Sequence, residues 1–500
     1  MIRPFDYSGI TRGADNIARY DDLHRSLVEM LRATVDRSPN TEAIVEIGGE
    51  RVNYRELWDR AARIAGGLRA IGINRGERVA IQLGNGLDWC LAFFGIQMCG
   101  AIAVPVNTRF AEPEIEYVLN DSGARFSFRP GETLPNDDPF VIEDLQSDEV
   151  AAIFYTSGTT GFPKGAMTTH ANFLTNVENC HRIGPLGKNE SIRTLVSVPL
   201  FHVTGCNSQL LFATECGGTT VIMPAFNVQE MLKAIVNERT DSVTSVPAIH
   251  WLAINQPQFK NLDVSHVRFV FYGGAPIAPE LVGKLMDAYP SARVGNGFGL
   301  SETSSVSTFL PHEYSREHAD SVGVAAPVVD LDLFEVDPIS GVGELLVRGP
   351  NIVKGYWNKP EATANTFVNG WLYTGDMARI DDQGLVYIVD RKKDMINRGG
   401  ENVYCVEVEN ALAAHPAVFE VAVVGVPDEV MGEKVGAVIV PRPGQQIEPA
   451  AIISFAETLL ADFKVPQYLV IRSEPLPRNP GGKILKPALR KSIEWGKPIR

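Results

Sequence analysis

The sequence lacks the features that define several protein classes. Its six cysteines are spread over 500 residues without a CxxC pair, so neither a zinc site nor a thioredoxin-like motif is indicated. They form no disulfide framework, and we expect reduced cysteines in a cytoplasmic protein. Acidic residues outnumber basic residues by 60 to 46. This balance argues against nucleic-acid binding, which needs a basic surface, but allows an anionic substrate in a local basic pocket.

Long uninterrupted apolar segments are also missing. Residues 89–108 carry no charge, but Gly95, Gln97 and Pro105 interrupt them. This composition favours a buried helix followed by a buried strand over a transmembrane helix. The first residues have no apolar core, so we expect no signal peptide, and the final Lys497–Arg500 is no peroxisomal address.

The chain is long enough for more than one hydrophobic core, so two or more domains are expected. Residues 1–390 alternate helix-like and strand-like segments, which is typical of βαβ units and a mostly parallel sheet. The later part has helices predicted at 406–414 and 449–460 and strands predicted at 418–424, 435–440 and 468–471. We therefore predict an α/β fold with a large N-terminal domain (1–390) of sheets covered by helices, a boundary at 391–394 and a smaller C-terminal α+β domain (395–500).

A glycine-rich segment at 155–165 carries the strongest chemical signal. It reads YTSGTTGFPKG and follows an apolar strand predicted at 150–154. Glycines let backbone N–H groups approach a phosphate, hydroxyls add donors, and Lys164 adds a positive charge. It is not a Walker A loop, because Gly165 stands where Ser or Thr would follow the lysine. A generic Gly/Thr loop is a surface connection, whereas the full string favours phosphate binding.

Seven further motifs follow this segment in order. They are PLFHVTG at 199–205, GGAP at 273–276, NGFGLSET at 296–303, GEL with GP at 343–350, YTGD at 373–376, DRKKD with GGEN at 390–402, and PRNPGGK at 477–483. Together the eight motifs resemble the adenylate-forming superfamily, which contains acyl-CoA and aryl-CoA synthetases, adenylation domains of peptide synthetases and beetle luciferases. The resemblance covers nearly the whole chain, and the ordered series is far more specific than any single motif.

The resemblance implies an ATP site. The residues carried over to it are Thr156, Ser157, Gly158, Thr159, Thr160, Lys164, Gly273, Gly274, Ala275, Asn296, Gly297, Phe298, Gly299, Ser301, Asp376, Ile388, Arg391 and Lys483. Glu302 would hold Mg²⁺ against the ATP phosphates. Asp376 would accept hydrogen bonds from the ribose hydroxyls, with Arg391 in support.

Two of these positions depart from the family pattern. Ser301 replaces the usual Thr and keeps a hydroxyl for the phosphate, while Phe298 replaces Tyr and keeps the stacking face without the phenol. The predicted catalytic residues are Thr156, His202, Glu302 and Lys483.

The acyl pocket follows from the same resemblance, which puts His202 near the substrate carboxylate. The predicted walls are His202, Val203, Cys206, Asn207, Val246, Pro247, Gly273, Gly299, Leu300 and Ser304. These side chains are mostly neutral and apolar, which suits an acyl chain or an aromatic ring. We therefore predict a fatty or aromatic monocarboxylic acid as the substrate.

The resemblance also implies two half-reactions in two domain orientations. Lys483 would bridge the carboxylate and the α-phosphate during adenylation, where negative charge develops. The small domain would then rotate about Lys393. Gly399, Gly400 and Glu401 would next line the coenzyme A channel, where larger side chains would block the thiol.

These inferences predict an AMP-forming acid–CoA ligase that uses ATP, Mg²⁺ and coenzyme A. An amino-acid-activating enzyme is one alternative, although that class usually has Asp where this chain has His202. A luciferase-like oxygenase shares the same motifs. A non-catalytic binding protein would not need Glu302 and Lys483 together. A homodimer is left open.

Overall fold

The computed structural model describes residues 2–156, 163–184, 186–187, 190–399, 401–478 and 484–500. Contacts between residues divide the chain into two compact units. The first contains the residues up to Asp332 with Leu346–Tyr373 and Asp381–Val386, and the second contains Leu333–Leu345, Thr374–Ile380 and Tyr387–Arg500. The boundary predicted at 391–394 falls inside the second unit, and the hinge stays a prediction.

Twenty-six strands are assigned within these ranges. They are β1 Ile10–Arg12, β2 Ala18–Tyr20, β3 Glu42–Glu46, β4 Arg51–Asn53, β5 Arg78–Ile81, β6 Ile102–Pro105, β7 Phe126–Phe128, β8 Val150–Thr156, β9 Lys164–Thr169, β10 Arg193–Val196, β11 Thr219–Ile222, β12 Ser242–Ser245, β13 Phe269–Gly273, β14 Arg293–Leu300, β15 Ser305–Leu310, β16 Val324–Ala325, β17 Asp330–Phe334, β18 Gly343–Arg348, β19 Phe367–Val368, β20 Trp371–Ile380, β21 Val386–Arg391, β22 Ile396–Arg398, β23 Glu401–Val403, β24 Val418–Asp428, β25 Gly432–Pro441 and β26 Tyr468–Ile471.

The α-helices of the described ranges lie between these strands. They are α1 Leu27–Arg37, α2 Tyr54–Ala70, α3 Leu87–Cys99, α4 Glu112–Ser122, α5 His170–Ile183, α6 Val203–Gly205, α7 Phe212–Glu215, α8 Val228–Asn237, α9 Pro247–Ile254, α10 Pro279–Ala288, α11 His312–Ser315, α12 Pro360–Thr366, α13 Cys405–Ala413, α14 Pro449–Glu457 and α15 Lys486–Ser492. A π-helix at Cys206–Leu211 joins α6 to α7.

Two mostly parallel sheets form the body of the first unit. The larger has the order β16-β15-β14-β13-β12-β10-β11-β3-β4, with parallel pairing from β14 to β3. The smaller has the order β7-β5-β6-β8-β9, with β9 antiparallel to β8. Parallel strands bring their carboxyl ends to one edge of the sheet, where α/β proteins bind ligands.

The uncharged segment at 89–108 is a helix followed by a strand, as predicted. Every residue of α3 except Asp88 is buried, and all four residues of β6 are buried. The helix ends at Gly100, which has the left-handed φ of 74°. In the described part of the chain, no helix is both long and apolar enough to span a membrane.

The second unit is built on the sheet β23-β22-β25-β24, with β26 parallel to β25. Strand β24 is four residues longer than predicted, because its pairing with β25 continues through Pro427 to Asp428. Helix α14 ends three residues before the predicted end, where the Thr458 hydroxyl donates to Phe455 O. Segments 333–345 and 374–380 belong to this unit because they contribute to the sheet β17-β18-β20, in which β21 also pairs with β20.

A largely buried ion pair joins three elements of the second unit. Lys486 Nζ, at the start of α15, lies 2.8 Å from Glu409 Oε1 in α13. Val423 N–H, in β24, donates to the same oxygen at 2.8 Å. Burial alone would lower the pKa of Lys486, but Glu409, Cys405 and Asp390 together raise it, with Glu409 contributing the most of the three. The pair therefore links two helices to the central strand.

Replacing Lys486 with Met should destabilise the second unit by about 3–5 kcal/mol, because Glu409 would keep a buried charge without its cation. The control is Lys464→Met, since Lys464 forms a 2.6 Å pair with the more exposed Glu407 and its loss should cost at most about 1 kcal/mol. Hydrogen exchange of β24 and β25 measures the difference. Equal protection in the two variants would contradict this account.

His250 is a buried histidine of the first unit. It lies in α9, is 1% exposed, and its Nε2 is 2.9 Å from Phe271 O in β13. Burial lowers the pKa of His250 to about 4, although the Phe271 carbonyl opposes this shift. The neutral ring therefore donates its Nε2–H to that carbonyl.

The unfolded chain binds a proton at His250 near pH 6.5, whereas the folded chain does so only near pH 4. Stability from this residue is therefore complete above pH 6.5 and is lost as the pH falls toward 4. Between pH 7 and 5 the loss should be roughly 2 kcal/mol. Urea denaturation at both pH values should show a smaller loss for His250→Gln, which does not titrate. A loss equal to that of the wild type would exclude His250 as its source.

Candidate active site

The described ends of the glycine-rich segment form a hairpin. In the antiparallel pair β8–β9, Thr156 lies opposite Lys164, and the Thr156 hydroxyl donates to Lys164 O at 3.5 Å. The two predicted ATP-binding residues therefore lie side by side on paired strands. Ser157, Gly158, Thr159 and Thr160, which were predicted to contact phosphate, lie outside the described residues.

The GGAP and NGFG motifs lie side by side. Strands β13 and β14 are parallel, with Tyr272 opposite Asn296 and Gly273 opposite Gly297. A Cβ atom on Gly273 would be only 2.2 Å from Gly297 O, so no larger residue fits there. Gly274 and Ala275 are exposed and Phe298 is partly exposed. The structure thus brings together the GGAP backbone and Phe298, which were predicted to belong to the ATP site.

Glu302 lies in a tight turn between β14 and β15. Its segment, Ser301–Thr303, is one 3₁₀ turn. Ser304 and Ser305 follow with φ values of 53° and 107°. The Thr303 hydroxyl donates to Ser305 O at 2.9 Å and accepts from Leu300 N–H, which closes the turn. Ser301 and Glu302 remain partly exposed, whereas Thr303 is fully buried. The turn therefore presents a carboxylate from a rigid backbone.

Tyr356 contacts both the turn of Glu302 and the β8–β9 hairpin. Its hydroxyl donates to Glu302 Oε1 at 2.7 Å, and Lys164 Nζ lies 5.0 Å from the centre of its ring. Burial and the neighbouring carboxylate raise the pKa of Tyr356, so the phenol keeps the proton that it donates. Sequence reasoning missed this residue. The available signal was Gly355, whose φ of 126° fixes the chain just before the tyrosine.

The predicted acyl-pocket residues come from four places in the first unit. His202 precedes α6, with its ring 4.8 Å from that of Phe201. Val203, Cys206 and Asn207 follow in α6 and the π-helix, and the Asn207 amide donates to both Ser304 O and Ser304 Oγ at 3.0 Å. The hydrogen bonds between Asn207 and Ser304 connect the predicted acyl-pocket residues at 202–207 to the turn that carries Glu302.

The remaining predicted wall residues lie at strand ends. Val246 caps α9, which begins at Pro247, and its Cγ1 would be 3.9 Å from a Cβ on Gly274. Gly299 and Leu300 end β14, and Leu300 is partly exposed. Cys206, Asn207 and Ser304 are fully buried. The polar partner of the Asn207 amide in this structure is Ser304.

The second unit contains the predicted ribose-binding pair. Arg391 Nε lies 2.5 Å from Asp376 Oδ1, and Asp376 is 2% exposed. The neighbouring backbone is held by Glu344, which accepts from Gly375 N–H at 3.1 Å and pairs with Lys392 Nζ at 2.8 Å. Ile388, also predicted to contact the nucleotide, lies in β21.

The predicted hinge and channel residues are in the same unit. Burial lowers the pKa of Lys393 below that of an ordinary lysine. Gly399 follows β22 with φ 62°, and its N–H donates to Met431 O at 2.7 Å. A Cβ on Gly399 would be 2.5 Å from Met431 Cε. Glu401 begins β23 and lies 3.9 Å from Arg398. Gly400 and Lys483 lie outside the described residues.

Comparison with known proteins agrees with this arrangement. The family model "AMP-binding enzyme" matches residues 31–139 and 130–357, and "AMP-binding enzyme C-terminal domain" matches 407–483. A long-chain-fatty-acid–CoA ligase of Mycobacterium tuberculosis is 36% identical over 92% of this chain and 97% of its own length. A feruloyl-CoA synthase of Amycolatopsis is 36% identical over 91% and 96%.

Solved structures give the same result. The o-succinylbenzoate CoA synthetase of Bacillus subtilis, in complex with its acyl-adenylate intermediate, superposes with a TM-score of 0.85. It is 28% identical, with 95% of this chain and 99% of that chain covered. The predicted α/β fold class, with a large N-terminal domain and a C-terminal domain, is confirmed, as is the resemblance to the adenylate-forming enzymes. The chain therefore belongs to the family of AMP-binding enzymes.

Proposed function

We propose that this enzyme is an AMP-forming carboxylic acid–CoA ligase. In the first half-reaction, a carboxylate oxygen attacks the α-phosphorus of ATP, an acyl-adenylate forms and pyrophosphate leaves. In the second, the coenzyme A thiol loses its proton, its sulfur attacks the acyl carbon, and AMP leaves as the thioester forms. The observation that carries the proposal is the connection of Glu302 through Tyr356 to the hairpin bearing Thr156 and Lys164.

Glu302 has the chemistry of a magnesium ligand. Its carboxylate is partly exposed, and one oxygen accepts the Tyr356 hydrogen bond. Within the described ranges, no lysine, arginine or histidine forms an ion pair with it. Protein-bound Mg²⁺ is commonly held by one or two carboxylates together with substrate phosphates. Bound there, it would offset the negative charge of the phosphates as pyrophosphate leaves.

The nucleotide would be held by both backbone and side chains. The close approach of Gly273 to Gly297 leaves a flat backbone surface without Cβ atoms beside Phe298, which supports adenine binding. Asp376 would accept from the two ribose hydroxyls, and the ion pair with Arg391 supports this role by holding the carboxylate in place.

The substrate class follows from the neutral residues of the acyl motif. An ammonium-bearing substrate needs an anionic partner, and His202 stands where amino-acid-activating enzymes use Asp. Val203, Val246 and Leu300 are apolar, which favours an aliphatic or aromatic acid with a single carboxylate. The names of the similar proteins, a fatty-acid ligase and a feruloyl-CoA synthase, cover both kinds of acid.

The test is ATP–pyrophosphate exchange with a panel of fatty, aromatic and amino acids, followed by thioester formation with coenzyme A. Fatty or aromatic acids should drive exchange best, with AMP and pyrophosphate as products and a requirement for Mg²⁺. Glu302→Gln should reduce exchange by at least about 100-fold, because metal stabilisation of phosphate charge is worth several kcal/mol. Circular dichroism checks that this variant is folded.

Two results would contradict the proposal. ADP and phosphate as products would exclude an adenylate. Amino acids that drive exchange better than fatty and aromatic acids would indicate the amino-acid-activating class.

Lys483 and Lys393 should separate the two half-reactions. Lys483→Ala should lower the adenylation rate by about 10²–10³-fold, as the loss of one preorganised donor does in other enzymes. Thioester formation from supplied acyl-adenylate should survive. Lys393→Pro fixes φ at the proposed hinge, so adenylation should persist while thioester formation slows. Single-turnover assays of each step measure both rates, and equal losses of both steps in both variants would rule out two orientations.

A further inference from the structure

Tyr356 occupies a position between two groups that handle phosphate. Its hydroxyl is 2.7 Å from Glu302 Oε1, and the face of its ring is 5.0 Å from Lys164 Nζ. The three residues come from different parts of the sequence, and all belong to the first unit. A single aromatic side chain thus contacts both the anionic and the cationic member of the site.

The backbone around Tyr356 is fixed to both neighbours. Val353 N–H donates to Glu302 O at 3.0 Å. On the other side, Met167 N–H donates to Gly355 O at 2.9 Å, and Trp357 N–H donates to Gly165 O at 2.8 Å. Segment 353–357 is therefore hydrogen-bonded to the Glu302 turn and to β9 at once.

The side chain is also held in one orientation. Tyr356 N–H donates to the Thr363 hydroxyl at 2.9 Å, and the ring packs edge-on against Phe367 at 5.6 Å. A phenol that cannot rotate away fixes the carboxylate oxygen that accepts from it, because the hydrogen bond to a charged acceptor is strong and directional. The orientation of the second carboxylate oxygen of Glu302 is then fixed as well.

The ring of Tyr356 also affects how the charges of Lys164 and Glu302 interact. Lys164 and Glu302 carry opposite charges on adjacent elements, yet among the described residues each contacts Tyr356 and no ion pair joins the two. The lysine instead lies over the electron-rich ring face, an attractive interaction for a cation. A direct Lys164–Glu302 pair would draw the carboxylate away from a metal ion and the lysine away from phosphate.

We propose that Tyr356 is a positioning residue for MgATP, which orients Glu302 toward the metal and keeps Lys164 from pairing with that carboxylate. The inference rests on the proposed function, in which Glu302 is the magnesium ligand. Tyr356 itself takes no part in bond making or breaking.

The test is Tyr356→Phe, which removes only the hydroxyl. The matched control is Tyr289→Phe, because Tyr289 is also buried in the first unit and its hydroxyl has no hydrogen-bond partner in the described part of the chain. Mn²⁺ replaces Mg²⁺ as a paramagnetic probe. Its binding to the enzyme with α,β-methylene-ATP, which cannot be cleaved at the α–β bond, is measured by electron paramagnetic resonance.

Tyr356→Phe should weaken Mn²⁺ binding by roughly 10–100-fold, as expected for the loss of one hydrogen bond to a charged group. In pyrophosphate exchange, the Mg²⁺ concentration for half-maximal rate should rise by the same factor, while the KM for the acid should not change. Tyr289→Phe should match the wild type in both measurements. Adding Tyr356→Phe to Glu302→Gln should cause no further loss of Mn²⁺ binding, because the tyrosine acts through that carboxylate.

Wild-type Mn²⁺ affinity in Tyr356→Phe would overturn the proposal. So would a full additional loss in the double variant, or an equal loss in Tyr289→Phe, which would indicate a purely structural effect. If the wild type catalyses no exchange but binds Mn²⁺ with the nucleotide analogue, the proposed function fails while the binding comparison still decides the role of Tyr356.

Discussion

Glu302 has its position because β14 and β15 approach each other more closely than any side chain permits. A Cβ atom on Gly299 would lie 1.4 Å from Ser305 O. The chain reverses direction there, from a parallel strand into an antiparallel one, within the residues that include Glu302. Ser304 and Ser305 adopt positive φ to complete the reversal. Buried hydrogen bonds offset this strain, since Thr303 closes the turn and Asn207 holds Ser304.

The same turn explains how distant motifs form one site. The Asn207 amide ties the acyl motif to it, and Val353 N–H ties the segment of Tyr356 to it. The Asn176 side chain adds a third connection, by accepting from Val306 N–H at 2.9 Å. Fixed backbone groups keep catalytic side chains near one geometry and reduce the reorganisation needed when substrates bind. The acidic balance of the whole chain matters less than these local contacts.

Sequence reasoning could predict site residues only where the residue types themselves indicate a chemistry. Thr156, Lys164 and Glu302 belong to motifs with a glycine-rich or acidic signature, and the structure places the first two opposite each other in a hairpin. Tyr356 was not found, because its partner Glu302 is 54 residues away and the preceding Gly355 indicates a constrained backbone but not a bond to a carboxylate. The membership of segment 333–345 in the second unit was also not predictable, since it depends on the pairing of β18 with β20, which the sequence pattern does not indicate.

The π-helix at Cys206–Leu211 is a place where the chain can lose one residue. Its hydrogen bonds join residues five apart, whereas those of an α-helix join residues four apart. The π-helix therefore contains one residue more than an α-helical turn in the same place. A chain shortened by one residue in this segment can form an ordinary α-turn while His202 before it and α7 after it keep their places. Such a deletion would replace the side chains between them in a single step. The acyl motif can therefore be remodelled by a change in length, which substitutions at fixed length would reach only through several changes.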